Sequence, residues 1–141
     1  MPGLQHTVTI AAPPQQVWAV LVDVERWPER IPTGDPVERL DDGPLALGCR
    51  TRLAQPRLPE GVWTVTEWTA GTSFTWESTS PGVTVTASHL VEAHPDGSRL
   101  TLAVKVSGPI APVGWLMTRS LTRRYVETEG ASLKAAAESA T

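Results

Sequence analysis

Cysteine is nearly missing from this chain. Cys49 is the only one in 141 residues, so no internal disulfide can close and no cysteine-based metal site can assemble. Long apolar runs are missing too: none approaches the roughly 18 residues of a spanning helix. The opening Met1-Pro2-Gly3-Leu4-Gln5-His6 lacks the basic region and apolar run of an export signal. A cytoplasmic location is therefore expected. Charge of one sign is scarce, with 12 Lys+Arg against 15 Asp+Glu, a net charge of -3 and a pI near 5.6. The basic residues are scattered rather than striped, which argues against nucleic acid as a partner. His6, His89 and His94 fall on separate strands or turns without ligand spacing, so no metal is expected. No nucleophile motif or phosphate-cradling glycine loop calls for a cofactor, and none is expected.

Phenylalanine and tyrosine occur once each, against six tryptophans. Fully burying one tryptophan is worth roughly 4 to 6 kcal/mol as an upper-bound transfer term, so something apolar is being lined or filled. A chain of this length suits one domain, residues 1–141, and folding can bury about two-thirds of its unfolded surface.

Taken in order, His6, Val8 and Ile10 alternate with Thr7 and Thr9 as in a half-buried strand. Pro13 and Pro14 suit the first turn of a helix running to about Val24, with Val17, Trp18, Val20, Leu21 and Val22 enclosing it. The proline-punctuated stretch from Glu25 to Pro36 holds at most a short second helix and a rim loop, with Trp27 as an anchor that ties the loop down. From Val37 onward, period-two runs separated by Gly, Pro and Asp turns predict about six sequential antiparallel strands. On one face fall Trp63, Val65 and Glu67, then Phe74 and Trp76, then Val85, Ala87 and His89, then Leu102 and Val104.

Gly108 and Pro109 end the last strand, Pro112 suits a first helical turn, and no proline follows before the end of the chain. A long terminal helix is predicted, the only element able to cover the sheet. It carries two modest apolar stripes. One holds Val113, Met117, Leu121, Thr128, Ala131 and Ala135, interrupted by Arg124. The other holds Trp115, Val126, Leu133 and Ala137, flanked by Arg119 and Arg123. Either stripe can pack while the other looks into a partly open space.

Several of these residues also carry a family resemblance. Ile10-Ala11-Ala12-Pro13-Pro14 followed by Val17-Trp18, then Leu21-Val22-Asp23-Val24-Glu25-Arg26-Trp27-Pro28, resembles the opening of the START-like, or SRPBCC, superfamily. Phe74-Thr75-Trp76, His89, and Gly108-Pro109-Ile110-Ala111 with Leu133-Lys134 extend the likeness over almost the whole chain. The superfamily includes polyketide cyclase/dehydrase-like proteins, aromatases and lipid-transfer domains. The resemblance implies an α+β helix-grip fold: a curved antiparallel sheet of about seven strands wrapped around the C-terminal helix, with a pocket between them.

If the apolar register faces the helix, the pocket is lined by Trp63, Val65, Phe74, Trp76, Val85, Ala87, His89, Leu102 and Val104 from the sheet and by Met117, Leu121 and Arg124 from the helix. Glu67, His89 and Tyr125 are the groups able to move protons there. A dry, empty pocket of 300 Å³ would cost about 7 kcal/mol, so such a space is filled by a ligand, wetted or collapsed. Three functions are compatible with this. The chain binds or sequesters a small hydrophobic or amphipathic molecule, lipid-like or aromatic; it is a cyclase/aromatase-type enzyme using the same cavity; or it is an interaction domain whose cavity its own tryptophans fill.

Overall fold

The computed structural model describes residues 3–27, 37–55 and 58–139, with the side chains of 54–60 left aside. The expected rim loop through Pro36 lies outside the described residues.

Strand β1 (Gly3–Ile10) leads into helix α1 (Pro14–Val22), which begins on two prolines and buries Val17, Val20 and Leu21. The helix ends two residues earlier than its apolar pattern predicts. Asp23 takes φ -84 and ψ 62, which breaks the ladder, and a single 3-10 turn follows at Val24–Arg26. The Trp27 indole N–H donates to the Leu21 carbonyl (3.2 Å), satisfying one acceptor stranded by that break. Trp27 itself is buried in the core, while the loop it is expected to tie down lies outside the described residues.

Six strands follow: β2 (Val37–Arg39), β3 (Arg50–Gln55), β4 (Leu58–Thr69), β5 (Ser73–Ser80), β6 (Val83–His94) and β7 (Gly97–Ser107). The seven make one antiparallel sheet in the order β1-β7-β6-β5-β4-β3-β2. The hairpin-linked strands are neighbours, and β1 closes against the last strand, setting His6 opposite Leu102 and Val8 opposite Leu100. The β6–β7 register sets His89 opposite Leu102 and Ala87 opposite Val104, so the alternating apolar sets share one face.

That face is covered by α1 and by helix α2 (Ala111–Ser139, 29 residues). The helix-grip fold expected from the sequence is the fold observed. Helix α2 crosses β1, β7 and the near side of β6. It approaches β1 closely at Gly130, where an added Cβ would lie 3.1 Å from the His6 ring and 3.4 Å from Val8. Its C-terminal end is tied down by named bonds. The Ala11 backbone N–H donates to Glu138 (2.8 Å), and the Gln16 side-chain amide donates to the Ala137 carbonyl.

The second apolar stripe of α2 is the one that packs: Val126, Leu133 and Ala137 are buried and Trp115 is half-buried. Of the first stripe, Val113, Met117, Ala131 and Ala135 are exposed, and Leu121 and Thr128 are half-buried.

Candidate functional site

Strand β5 supplies the wall from which the site is built. Phe74 and Trp76 are buried on the covered face, with ring centroids 5.4 Å apart at 86°. Trp63 approaches Trp76 from β4 (5.9 Å), and Trp27 approaches it from beyond α1 (5.6 Å). Trp68 and Trp18 complete the row, 5.2 Å apart and 6.2 and 6.3 Å from Phe74. Five of the six tryptophans thus line or cap a single patch.

His89 is set into this wall. Its ring stacks on Phe74 at 4.2 Å and 12°, meets Trp76 edge-on at 5.8 Å, and lies 6.2 Å from Trp27. Nδ1 lies 3.2 Å from the Phe74 carbonyl, and since a carbonyl can only accept, Nδ1 carries the proton and Nε2 is the acceptor. Burial pushes the imidazole down to about 4, partly opposed by the bond to Phe74. The ring is neutral at physiological pH.

Glu67 is not beside it. Simple alternation places Glu67 on the face of Trp63 and Val65, but a bulge intervenes. Val65 pairs with Trp76 and Glu67 with Thr75, which leaves Thr66 over. Beyond that extra residue every side chain changes face. Trp68, now opposite Phe74, joins the aromatic wall, and Glu67 is exposed on the outer surface.

The other sheet positions expected to line a pocket are distributed as follows. Val65, Leu102 and Val104 are buried; Val85, Ala87 and Trp63 are partly buried against the core. From α2, Tyr125 is buried and Leu121 half-buried, while Arg124 and Met117 face solvent, Met117 being 80% exposed. Those two belong to the stripe that does not pack.

Two features escaped the sequence reading. One is the company Tyr125 keeps on α2: with Thr118, Thr122, Glu129 and Ser132 it forms a polar row that recurs at three- and four-residue steps, all buried or half-buried. They occupy the flank opposite Gly130. Because Gly130 meets the edge strand β1, that flank is turned across the sheet. Burial pushes the Glu129 carboxyl up to about 7. Half-exposed surface and strong desolvation are compatible here, since a side chain can keep its edge in solvent while its head is packed. The spacing was readable, but a search for apolar stripes passes over it. The second feature is Thr51 on β3, opposite Trp63. It is fully buried, and its hydroxyl has no hydrogen-bond partner among the described residues.

Chemically, the sheet offers an aromatic surface with a neutral imidazole and an orphan hydroxyl, and α2 offers a flank of hydroxyls with one carboxyl that titrates near neutrality. Among the described residues no three His, Cys, Asp or Glu gather as metal ligands.

Residues 1–138 match the family model described as polyketide cyclase / dehydrase and lipid transport. A START superfamily protein from Mycobacterium smegmatis is 17% identical with a TM-score of 0.78, the match covering 99% of each chain. The Zhui aromatase/cyclase from Streptomyces sp. R1128 is 21% identical with a TM-score of 0.77, covering 96% of this chain and 93% of that one. At these identities the likeness establishes the fold alone. A search of curated proteins finds no match to the sequence.

Proposed function

We propose, from the premise that the chain belongs to the polyketide cyclase / dehydrase and lipid transport family, that residues 1–141 act as a single START-like domain which binds a small hydrophobic or amphipathic molecule between the sheet and α2. The observation that carries this reading is the pairing of an aromatic wall with a few buried polar groups, the Thr51 hydroxyl above all. A buried hydroxyl without a partner costs about 1–3 kcal/mol. A ligand oxygen or a water held with it removes that cost. Apolar area supplies affinity, and the polar groups fix orientation.

The test uses the tryptophans as reporters. Palmitate and 1-anilinonaphthalene-8-sulfonate are titrated while indole emission and the melting temperature are followed. Binding at 100-fold above Kd should change the emission and raise Tm by about 5–10 °C. No response to either probe, with no small molecule retained in native mass spectra, would overturn the proposal in favour of an interior filled by side chains.

A second reading, cyclase/aromatase-type catalysis in the same space, is favoured by one observation. Glu129, with its carboxyl near 7, sits one helical turn after the buried Tyr125. A general acid or base works best with a pKa close to the working pH. The discriminating variants are Glu129→Gln and Tyr125→Phe. An enzyme loses turnover of a short poly-β-ketone in both while keeping probe affinity; a carrier has no turnover to lose.

A further inference from the structure

Helix α2 is tied down at its C-terminal end, and at its start it is pinned by the Ile110 N–H bond to the Gly82 carbonyl and by buried Ala111 while one side stays bare. Around its start, Ile110, Val113, Leu116 and Met117 are 52%, 64%, 66% and 80% exposed, four of the six large apolar side chains exposed among the described residues. At 100° per residue Val113, Leu116 and Met117 fall within one 100° arc, and all three are exposed. The next two turns place Arg123 one heptad after Leu116 and Arg124 one heptad after Met117, with Arg119 between. All three arginines are exposed, and none forms an ion pair with a described residue. No aspartate or glutamate occurs from Gly108 to Val126, although the chain as a whole carries a net charge of -3.

We propose that this end of α2 is a docking surface for an anionic lipid bilayer, with Ile110, Val113, Leu116 and Met117 entering the headgroup and acyl boundary and Arg119, Arg123 and Arg124 meeting the lipid charge. The dimensions fit. Ile110 to Met117 spans about 10 Å along a helix axis, the depth to which interfacial helices bury their apolar part, and the arginines begin within one further turn. A second copy of the chain is disfavoured, because a two-fold interface would set these arginines against their own counterparts. A protein partner fits less well. The exposed side chains of the tip are aliphatic or Met117, and its one tryptophan, Trp115, is packed against the core instead of being presented as an interface anchor, whereas a bilayer requires only apolar depth and positive charge. This inference stands whether or not the interior holds a ligand.

Co-sedimentation of the full chain with vesicles tests it. Vesicles of phosphatidylcholine with 30% phosphatidylglycerol should bind the protein on the order of 100-fold more tightly than pure phosphatidylcholine, at roughly a factor of five per arginine. The difference should shrink with added salt. Leu116→Ser with Met117→Ser should lower binding to both vesicle types. Arg119→Gln with Arg123→Gln and Arg124→Gln should abolish the preference for anionic lipid. Unchanged circular dichroism and Tm show that both variants fold. Equal partition into the two vesicle types, or variants that bind like the parent, would overturn the proposal. So would failure to bind vesicles combined with saturable binding of an acidic protein that the arginine variant loses, which would identify the surface as a protein site.

Discussion

His89 lies flat against Phe74 and at the same time donates from Nδ1 to the Phe74 main-chain carbonyl, so one residue holds the imidazole by its face and by its edge. The ring is thereby fixed in its neutral form inside the aromatic wall. Burial places its folded-state pKa at about 4, below the ordinary 6.5. The unfolded chain takes up the proton first, and stability should fall as pH drops from 6.5 towards 4, by up to about 3 kcal/mol. Urea denaturation of the parent and of His89→Leu across this range checks it; the parent should lose more stability on acidification than the variant.

Glu129 acts in the opposite direction. Its folded-state value of about 7 lies above the ordinary 4.5, so the folded protein holds the proton longer. Its contribution is complete below pH 4.5 and is lost as pH rises through 7. Replacing it by Gln, which keeps the shape and removes the charge, should leave stability at pH 4 nearly unchanged. At pH 8 the variant should gain about 1 to 3 kcal/mol, discounted for the part of the side chain that reaches solvent. Parallel denaturation curves at the two pH values decide this.

The bulge at Thr66 makes a prediction that simple alternation would reverse. Glu67→Ala should change stability by less than about 0.5 kcal/mol, because the carboxylate is exposed on the outer surface. Trp68→Ala should cost about 3 kcal/mol, because the indole packs against Trp18 and Phe74. Thermal unfolding of the two single variants is sufficient.

Gly97, in the β6–β7 hairpin, has φ +134, and an added Cβ would meet the Ile10 carbonyl oxygen and the backbone of Ala12. Both neighbours are main-chain atoms of the β1–α1 junction and cannot rotate away. Gly97→Ala should therefore cost about 2 to 4 kcal/mol. An equilibrium melt reads the loss directly, and a variant as stable as the parent would remove the claim that this junction is tightly apposed.

Much of the fold was legible because its cues are local and repeated. Val83 through Val91 and Leu100 through Val106 alternate cleanly, and glycine, proline and aspartate mark the turns. Proline pairs mark where both helices begin. Two things were not legible. A bulge depends on how two strands pair and leaves no trace in the composition of either, so unbroken alternation puts Glu67 on the covered face and Trp68 on the outer one, the reverse of what the pairing shows. On α2 both apolar stripes are modest, and contacts made across the fold, Gly130 against His6 among them, determine which way the rod is rolled. That roll brings Glu129 inward and leaves Met117 outside.

The unequal fastening of α2 has a mechanical consequence. The rod is pinned at both ends, by Ala137 and Glu138 at one and by the Ile110 N–H bond to the Gly82 carbonyl and buried Ala111 at the other, so its least supported stretch is the mostly exposed span from Leu116 to Arg124. Backbone amides from Thr118 to Leu121 should accordingly exchange with deuterium faster than those from Val126 to Leu133. That looser span is the one from which the three arginines project.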